Sequence, residues 1–141
     1  MREYKIFIDE NLPPQIARAL NIAQQPQNDR EKMKIEVHSI KDYFGQGVTD
    51  EDWIPKVGQM GGIVITQDYR IQNLRHQREL YQQNGVGIFF FNPPSKTGFA
   101  YWEMFKQIIN KWEDIKSIIK KNKSPFAYRC SARTNFEKID E

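Results

Sequence analysis

Apolar residues along this chain fall alternately into short runs and helical stripes. Tyr4-Lys5-Ile6-Phe7-Ile8 is a β-rich run that stops at Asp9. Pro13-Pro14 follows, where proline suits a helix's first turn, and Ile16, Ala17 and Leu20 then recur at helical spacing. Residues 21–34 are rich in Gln, Asn and Lys and aperiodic apart from Ile22 and Met33, which predicts a helix end and a loop. Ile35, Val37 and Ile40 mark a second strand, and the stretch from Asp42 to Thr49, with Gly45 and Gly47, reads as a loop. Thr49 or Asp50 caps a helix that carries Trp53, Ile54 and Val57 and ends at Gly61-Gly62. Ile63-Val64-Ile65-Thr66 is a third strand, apolar on both faces, as a parallel strand covered on both sides would be.

This strand too stops at an aspartate, Asp68, and a helix with Leu74, Arg78 and Tyr81 at its turns follows. Val86 to Phe91 is a fourth buried strand, closed by Asn92-Pro93-Pro94. The longest helix runs from about Phe99 to Lys121, where Trp102, Phe105, Ile108, Ile109, Trp112, Ile115 and Ile119 form one apolar stripe. A fifth strand fits Phe126 to Arg129, and residues 131–141 read as a loose tail behind a single domain over 1–130. Strands alternating with helices predict an α/β fold, a mainly parallel sheet of four to five strands with helices on both faces.

Composition narrows the classes. Of 141 residues, 39% are hydrophobic and 28% charged, enough for a real core. No apolar run approaches the roughly 18 residues that cross a bilayer, and the first residues hold no apolar leader, so a cytoplasmic, membrane-free protein is expected. Cys130 is the single cysteine, which excludes an internal disulfide and fits a reducing compartment. One cysteine and two histidines cannot build a zinc finger. Net charge is +3 but uneven: residues 1–97 hold twelve Lys/Arg against twelve Asp/Glu, whereas 98–141 hold nine against six. A neutral body with a basic end hints at a polyanionic partner, or simply at a solvated helix face.

The candidate chemistry is acidic. In an open parallel sheet the carboxyl ends of the strands line one rim, and ligands bind where the strand order reverses. If the first and third strands are neighbours, Asp9 and Asp68 face each other there, and Asp50 or Asp52 can reach the same rim. Carboxylates converging without histidine or cysteine make a hard-oxygen site suited to Mg²⁺ or Mn²⁺. The bland alternative is that each aspartate only turns the chain or caps a helix. No G-x-G-x-x-G follows the first strand, and Gly58-Gln59-Met60-Gly61-Gly62 precedes a strand without Lys-Ser/Thr, so neither a dinucleotide fingerprint nor a P-loop is present.

At these residues a family resemblance emerges. Ile6-Phe7-Ile8-Asp9-Glu10-Asn11-Leu12-Pro13 resembles the opening of PIN-like ribonuclease domains, in particular VapC-type toxins that begin with Asp-Glu-Asn-Leu. Thr49-Asp50-Glu51-Asp52-Trp53-Ile54 resembles that group's acidic helix start, and Gly62 to Ile71 its third strand ending in Asp-x-Arg-Ile. The likeness extends over residues 4–130 and implies a metal-dependent endoribonuclease, normally paired with a small antitoxin and often a homodimer. It implies Asp9, Asp50 and Asp68 as catalytic metal ligands, Asp52 as substitute or helper for Asp50, and Glu79 as a weaker fourth ligand. Tyr69 stands where relatives often have a basic residue. Arg70 is a candidate phosphate clamp, because guanidinium matches phosphate geometry. Asn11 would donate near the metal or cap the first helix. Lys106, Lys111, Lys116, Lys120, Lys121 and Lys123 are candidates to track RNA phosphates, or simply a solvated helix surface. His38 and His76 read as structural or solvated, and Trp102 and Trp112 as core. A catalytically inactive PIN-like module that binds RNA or protein, and a receiver-like regulatory domain, stay open beside the enzyme.

Overall fold

In the computed structural model, residues 2–9, 12–67, 71–94 and 100–139 are described, without the side chains of 71–74 and 77. The elements run β1 (Arg2–Ile8), α1 (Pro14–Glu31), β2 (Met33–Ser39), α2 (Ile40–Phe44), α3 (Asp50–Gln59), β3 (Ile63–Gln67), α4 (Ile71–Gln83), β4 (Gly87–Asn92), α5 (Tyr101–Lys121), β5 (Phe126–Ser131) and β6 (Thr134–Lys138). Among the described residues the strands form one sheet in the order β2-β1-β3-β4-β5-β6. All neighbouring pairs are parallel except β5 with β6.

Strand alternation splits the core into two layers. Ile6, Ile8, Ile65 and Phe89 pack against α1 and α5 on one face. Phe7, Val64, Ile88 and Phe90 pack against α2, α3 and α4 on the other. The result is the expected three-layer α/β/α arrangement.

Three expectations change. First, α1 does not stop near residue 21 but continues to Glu31, through Pro26. Its inward side there is amide, not apolar. Asn28 Nδ2 donates to the Ile35 carbonyl (3.1 Å), and its Oδ1 accepts from the Ile35 amide (3.2 Å). Asn21 Oδ1 accepts from the Val37 amide (2.9 Å). Strand β2 is an edge, so its outward backbone groups need partners from elsewhere, and α1 supplies them. A search for apolar spacing is blind to such a face.

Second, the tail expected to be loose from 131 contributes β6. The hairpin is closed by Ser131, whose amide donates to Thr134 Oγ1 (3.0 Å). Phe136 sets its ring edge-on to Phe89 and Phe91, with centroids 5.0 and 5.7 Å away. Apart from half-buried Phe136 the strand is exposed and poor in β-formers, so it carries little pattern.

Third, the α5 stripe is narrower than predicted. Met104, Ile108, Ile115 and Ile119 are buried, but Trp102 is 74% and Ile109 52% exposed. At about 100° per residue those two lie some 110–130° round the helix from the buried line. Trp102 rests instead on Phe105 and Tyr101. Trp112 is half-buried and donates to Gln24 Oε1 (2.9 Å), joining α5 to α1. Lys116, buried on the same flank, reaches Glu31 (2.8 Å) and Glu113 (2.9 Å), and buried Lys111 donates to the Thr134 carbonyl (2.8 Å), so these two lysines hold the fold instead of facing RNA phosphates.

Candidate functional site

From β1 the chain runs outward to β2, then returns across the sheet to β3 on the other side of β1. The strand order therefore reverses between β1 and β3, and their carboxyl ends flank a crevice. Asp9 sits there, directly after β1. Its amide donates to the Ile65 carbonyl (3.0 Å), which carries the β1–β3 pairing one residue past the strand. Asp9 is two residues beyond Phe7 and so lies on the α3/α4 side of the sheet. It is only 5% exposed, and the buried Thr66 hydroxyl donates to its Oδ2. A hydrogen bond to the ionised form favours it and fixes its rotamer.

Asp50 is the first residue of α3, with Thr49 as N-cap. The indole of fully buried Trp53, one turn on, donates to Asp50 Oδ1 (3.1 Å). Burial pushes the Asp50 carboxyl above its ordinary value; the Trp53 bond opposes this, Glu51's charge adds to it, and His76 opposes it. The helix N-terminus favours an anion here, so the site holds a carboxylate that is partly desolvated yet oriented.

Tyr81 of α4 completes the arrangement. Its ring lies between Trp53 (6.1 Å between centroids) and Phe90 (6.4 Å). Burial first, then the charges of Asp9 and Asp50, hold its hydroxyl well above the ordinary tyrosine value. Both carboxylates therefore act on one buried hydroxyl, besides their own bonds to Thr66 and Trp53. Oxygen donors crowded by burial suit a small hard cation, whose charge relieves the desolvation of Asp50. Asp9 and Asp50 would hold it. Among the described residues no group of three or more His, Cys, Asp or Glu stands close enough to bind a metal. Asp68, the third expected carboxylate, lies outside the described residues, as do Asn11 and Arg70.

A family model described as a PIN like domain matches residues 4–93, from β1 to the end of β4. The chain belongs to the PIN-like domain family. No curated protein and no solved structure matches it. The matched span of the PIN-like domain contains Asp9, Asp50, Thr66 and Tyr81.

Other predicted residues of the PIN-like domain sit elsewhere. Asp52 is exposed and accepts from Thr49 Oγ1 (2.9 Å), so its observed partner is the cap of its own helix. Glu79 is exposed on α4, 3.9 Å from Arg75, about 160° round the helix from Tyr81. Lys106 is exposed one turn into α5, whereas Lys120 and Lys121 end that helix. The Lys120 carbonyl accepts from Arg2 at the start of β1 (3.4 Å). Seven residue steps lead from Arg2 to Asp9, about 23 Å at ~3.3 Å each. The structure thus sets Lys120 at the opposite rim from Asp9.

Sequence reasoning missed Thr66, Trp53 and Tyr81 as parts of this crevice. Thr66 did leave a signal, as a hydroxyl ending an otherwise apolar strand. Trp53 and Tyr81 read as plain core, because nothing local shows which way a buried indole N–H or phenol points.

Proposed function

We propose that this PIN-like domain is a divalent-cation-dependent endoribonuclease, the toxin of a toxin–antitoxin pair. Its substrate is RNA, its partner a small antitoxin protein that covers the crevice, and its active form a homodimer. The observation that carries the reading is a pair of anchored carboxylates, Asp9 held by the Thr66 hydroxyl and Asp50 by the Trp53 indole, after β1 and at the start of α3 in a PIN-like domain. Asp9, Asp50 and Asp68 act as ligands for Mg²⁺ or Mn²⁺. When bound, the ion supplies Lewis acidity toward a phosphodiester and lowers the pKa of water. Thr66 locks Asp9, and Trp53 locks Asp50, so neither carboxylate must reorganise during the reaction.

The strand order β2-β1-β3-β4-β5 is shared with receiver domains. The residues after β5, Ala132-Arg133, hold no lysine, which counts against that alternative.

The test is cleavage of single-stranded RNA by the purified protein. Cleavage is expected with Mg²⁺ or Mn²⁺, is lost in EDTA, and falls at least 100-fold in Asp9→Asn and Asp50→Asn, the scale of losing an electrostatic catalytic group. RNA that is bound but left intact in Mn²⁺ would make the domain a binding module instead.

A further inference from the structure

On the α4 side of the sheet a second concavity of about 260 Å³ opens between α4 and the β4–β5–β6 end. Helices α2, α3 and α4 pack over β1, β3 and β4, and none covers β5 here. The floor is apolar, with Tyr81, Ile88, Phe126 and Ile139 among its lining, and the mouth carries Arg78, Gln82 and Lys138. Within it, Arg78 Nε is buried with no hydrogen-bond partner among the described residues. A buried guanidinium N–H without an acceptor costs free energy, so a native protein that keeps one normally has an acceptor to offer it. Lys138 adds a second positive charge across the same opening, so the missing acceptor is an anion. The pocket continues over Arg78 and Gln82 into an open groove lined by Arg75, Gln83 and Glu79, whose carboxylate stands 3.9 Å from Arg75.

We propose that this pocket binds a nucleotide unit, with the base against the apolar floor and the phosphate on Arg78 and Lys138. The volume lies just below the ~300 Å³ at which drug-sized pockets begin, which suits one base with its ribose at the mouth. Val86, Ile88, Ala127 and Ile139 give a base an apolar floor that does not depend on its identity. Gln82, with both a donor and an acceptor, can meet a base edge. Arginine's planar fork matches phosphate oxygens. A free nucleoside monophosphate and a nucleotide of a bound RNA strand present this same chemistry. The assignment does not depend on the acidic crevice being catalytic. The two sites touch at Tyr81, whose ring lines this pocket while its hydroxyl feels Asp9 and Asp50.

The experiment is calorimetric titration of the full chain in EDTA with AMP, UMP, ribose 5-phosphate, adenosine and benzoate. AMP and UMP should bind, and removing either the base or the phosphate should weaken binding about tenfold or more, the scale of one charge-assisted hydrogen bond. Arg78→Met should weaken AMP about tenfold without lowering the melting temperature of the ligand-free protein, because it removes an unpaired donor. Exposed Lys138→Gln should weaken AMP by a smaller factor. Displacement of AMP by an uncleavable 2′-O-methyl pentanucleotide would identify an RNA strand as the source, and its failure to compete would identify the free nucleotide. The proposal is overturned if neither nucleotide binds, if benzoate binds as tightly as AMP, or if Arg78→Met lowers the melting temperature and leaves AMP affinity unchanged. A protein that cleaves RNA yet binds no mononucleotide would overturn this assignment alone. One that binds AMP yet cleaves nothing would overturn only the nuclease reading.

Discussion

Replacing Asn28 tests how α1 holds the sheet edge. Asn28 is 6% exposed, and its amide bonds both backbone groups of Ile35 while accepting from Gln24 (3.0 Å). Asn28→Ala leaves the Ile35 N–H without a partner beside a buried helix, and its C=O with only the long bond from Gln25 Nε2 (3.5 Å). Each such group costs about 1–3 kcal/mol, so the pair amounts to about 2–6 kcal/mol. Alanine returns roughly 0.5 kcal/mol of helix propensity, and the space it opens can admit water to one of the two groups. The expected loss is therefore about 2–4 kcal/mol, a large part of the ~5–15 kcal/mol that holds a domain folded. Urea unfolding followed by tryptophan fluorescence measures it. Asn28→Leu should lose as much as Asn28→Ala, since it restores volume without a donor or acceptor. A loss below ~0.5 kcal/mol in Asn28→Ala, or full recovery in Asn28→Leu, would refute the reasoning, because packing and not edge hydrogen bonds would then hold α1. Exposure of the β2 edge should also make Asn28→Ala aggregate sooner.

Other substitutions probe other joints. Burial pushes the Glu31 carboxyl up, but hydrogen bonds from Lys116 and Gln24, with the Lys116 charge, outweigh it and leave the carboxyl below its usual range. A depressed folded value stabilises above the ordinary carboxylate pKa, near 4.3, and that stability is lost as pH falls through the folded value. The stability gap between wild type and Lys116→Met should therefore be full at pH 7 and shrink below about pH 4; a gap that widens in acid would contradict the pairing. Gly58→Ala should destabilise by about 1–3 kcal/mol despite better helix propensity. A Cβ there would stand 2.0 Å from the Asn84 backbone oxygen, which cannot swing away. A stabilised variant in urea would show that α3 and α4 can part cheaply. Burial pushes the Cys130 thiol up to about 12, Lys111 opposing and Asp114 adding to it. Disulfide reagents at pH 8 should therefore label it only as the protein unfolds, and rapid labelling of the folded chain would place it at the surface.

The sequence by itself determined the alternation of strands and helices, the parallel sheet, and the aspartates that end β1 and begin α3. These follow from local chemistry: apolar runs bury, proline opens a helix, and a carboxylate ends a strand wherever a turn begins. The same residues carried the PIN-like resemblance, and the family match covers the part of the chain where they stand. Only the tertiary structure decided the rest. It set Asp50 rather than Asp52 beside Trp53 and in the field of Tyr81, a matter of which side of one helical turn faces the crevice. It turned Trp102 outward and Lys116 inward, because α1 offers Glu31 on one flank of α5 and no described element covers Trp102 on the other. It carried α1 through residues that look like a loop, since their partners are backbone groups of a strand edge. Apolar burial has a period that a single chain displays. Where a polar group lies inside, its place depends on a partner distant in sequence, and no local pattern records that partner.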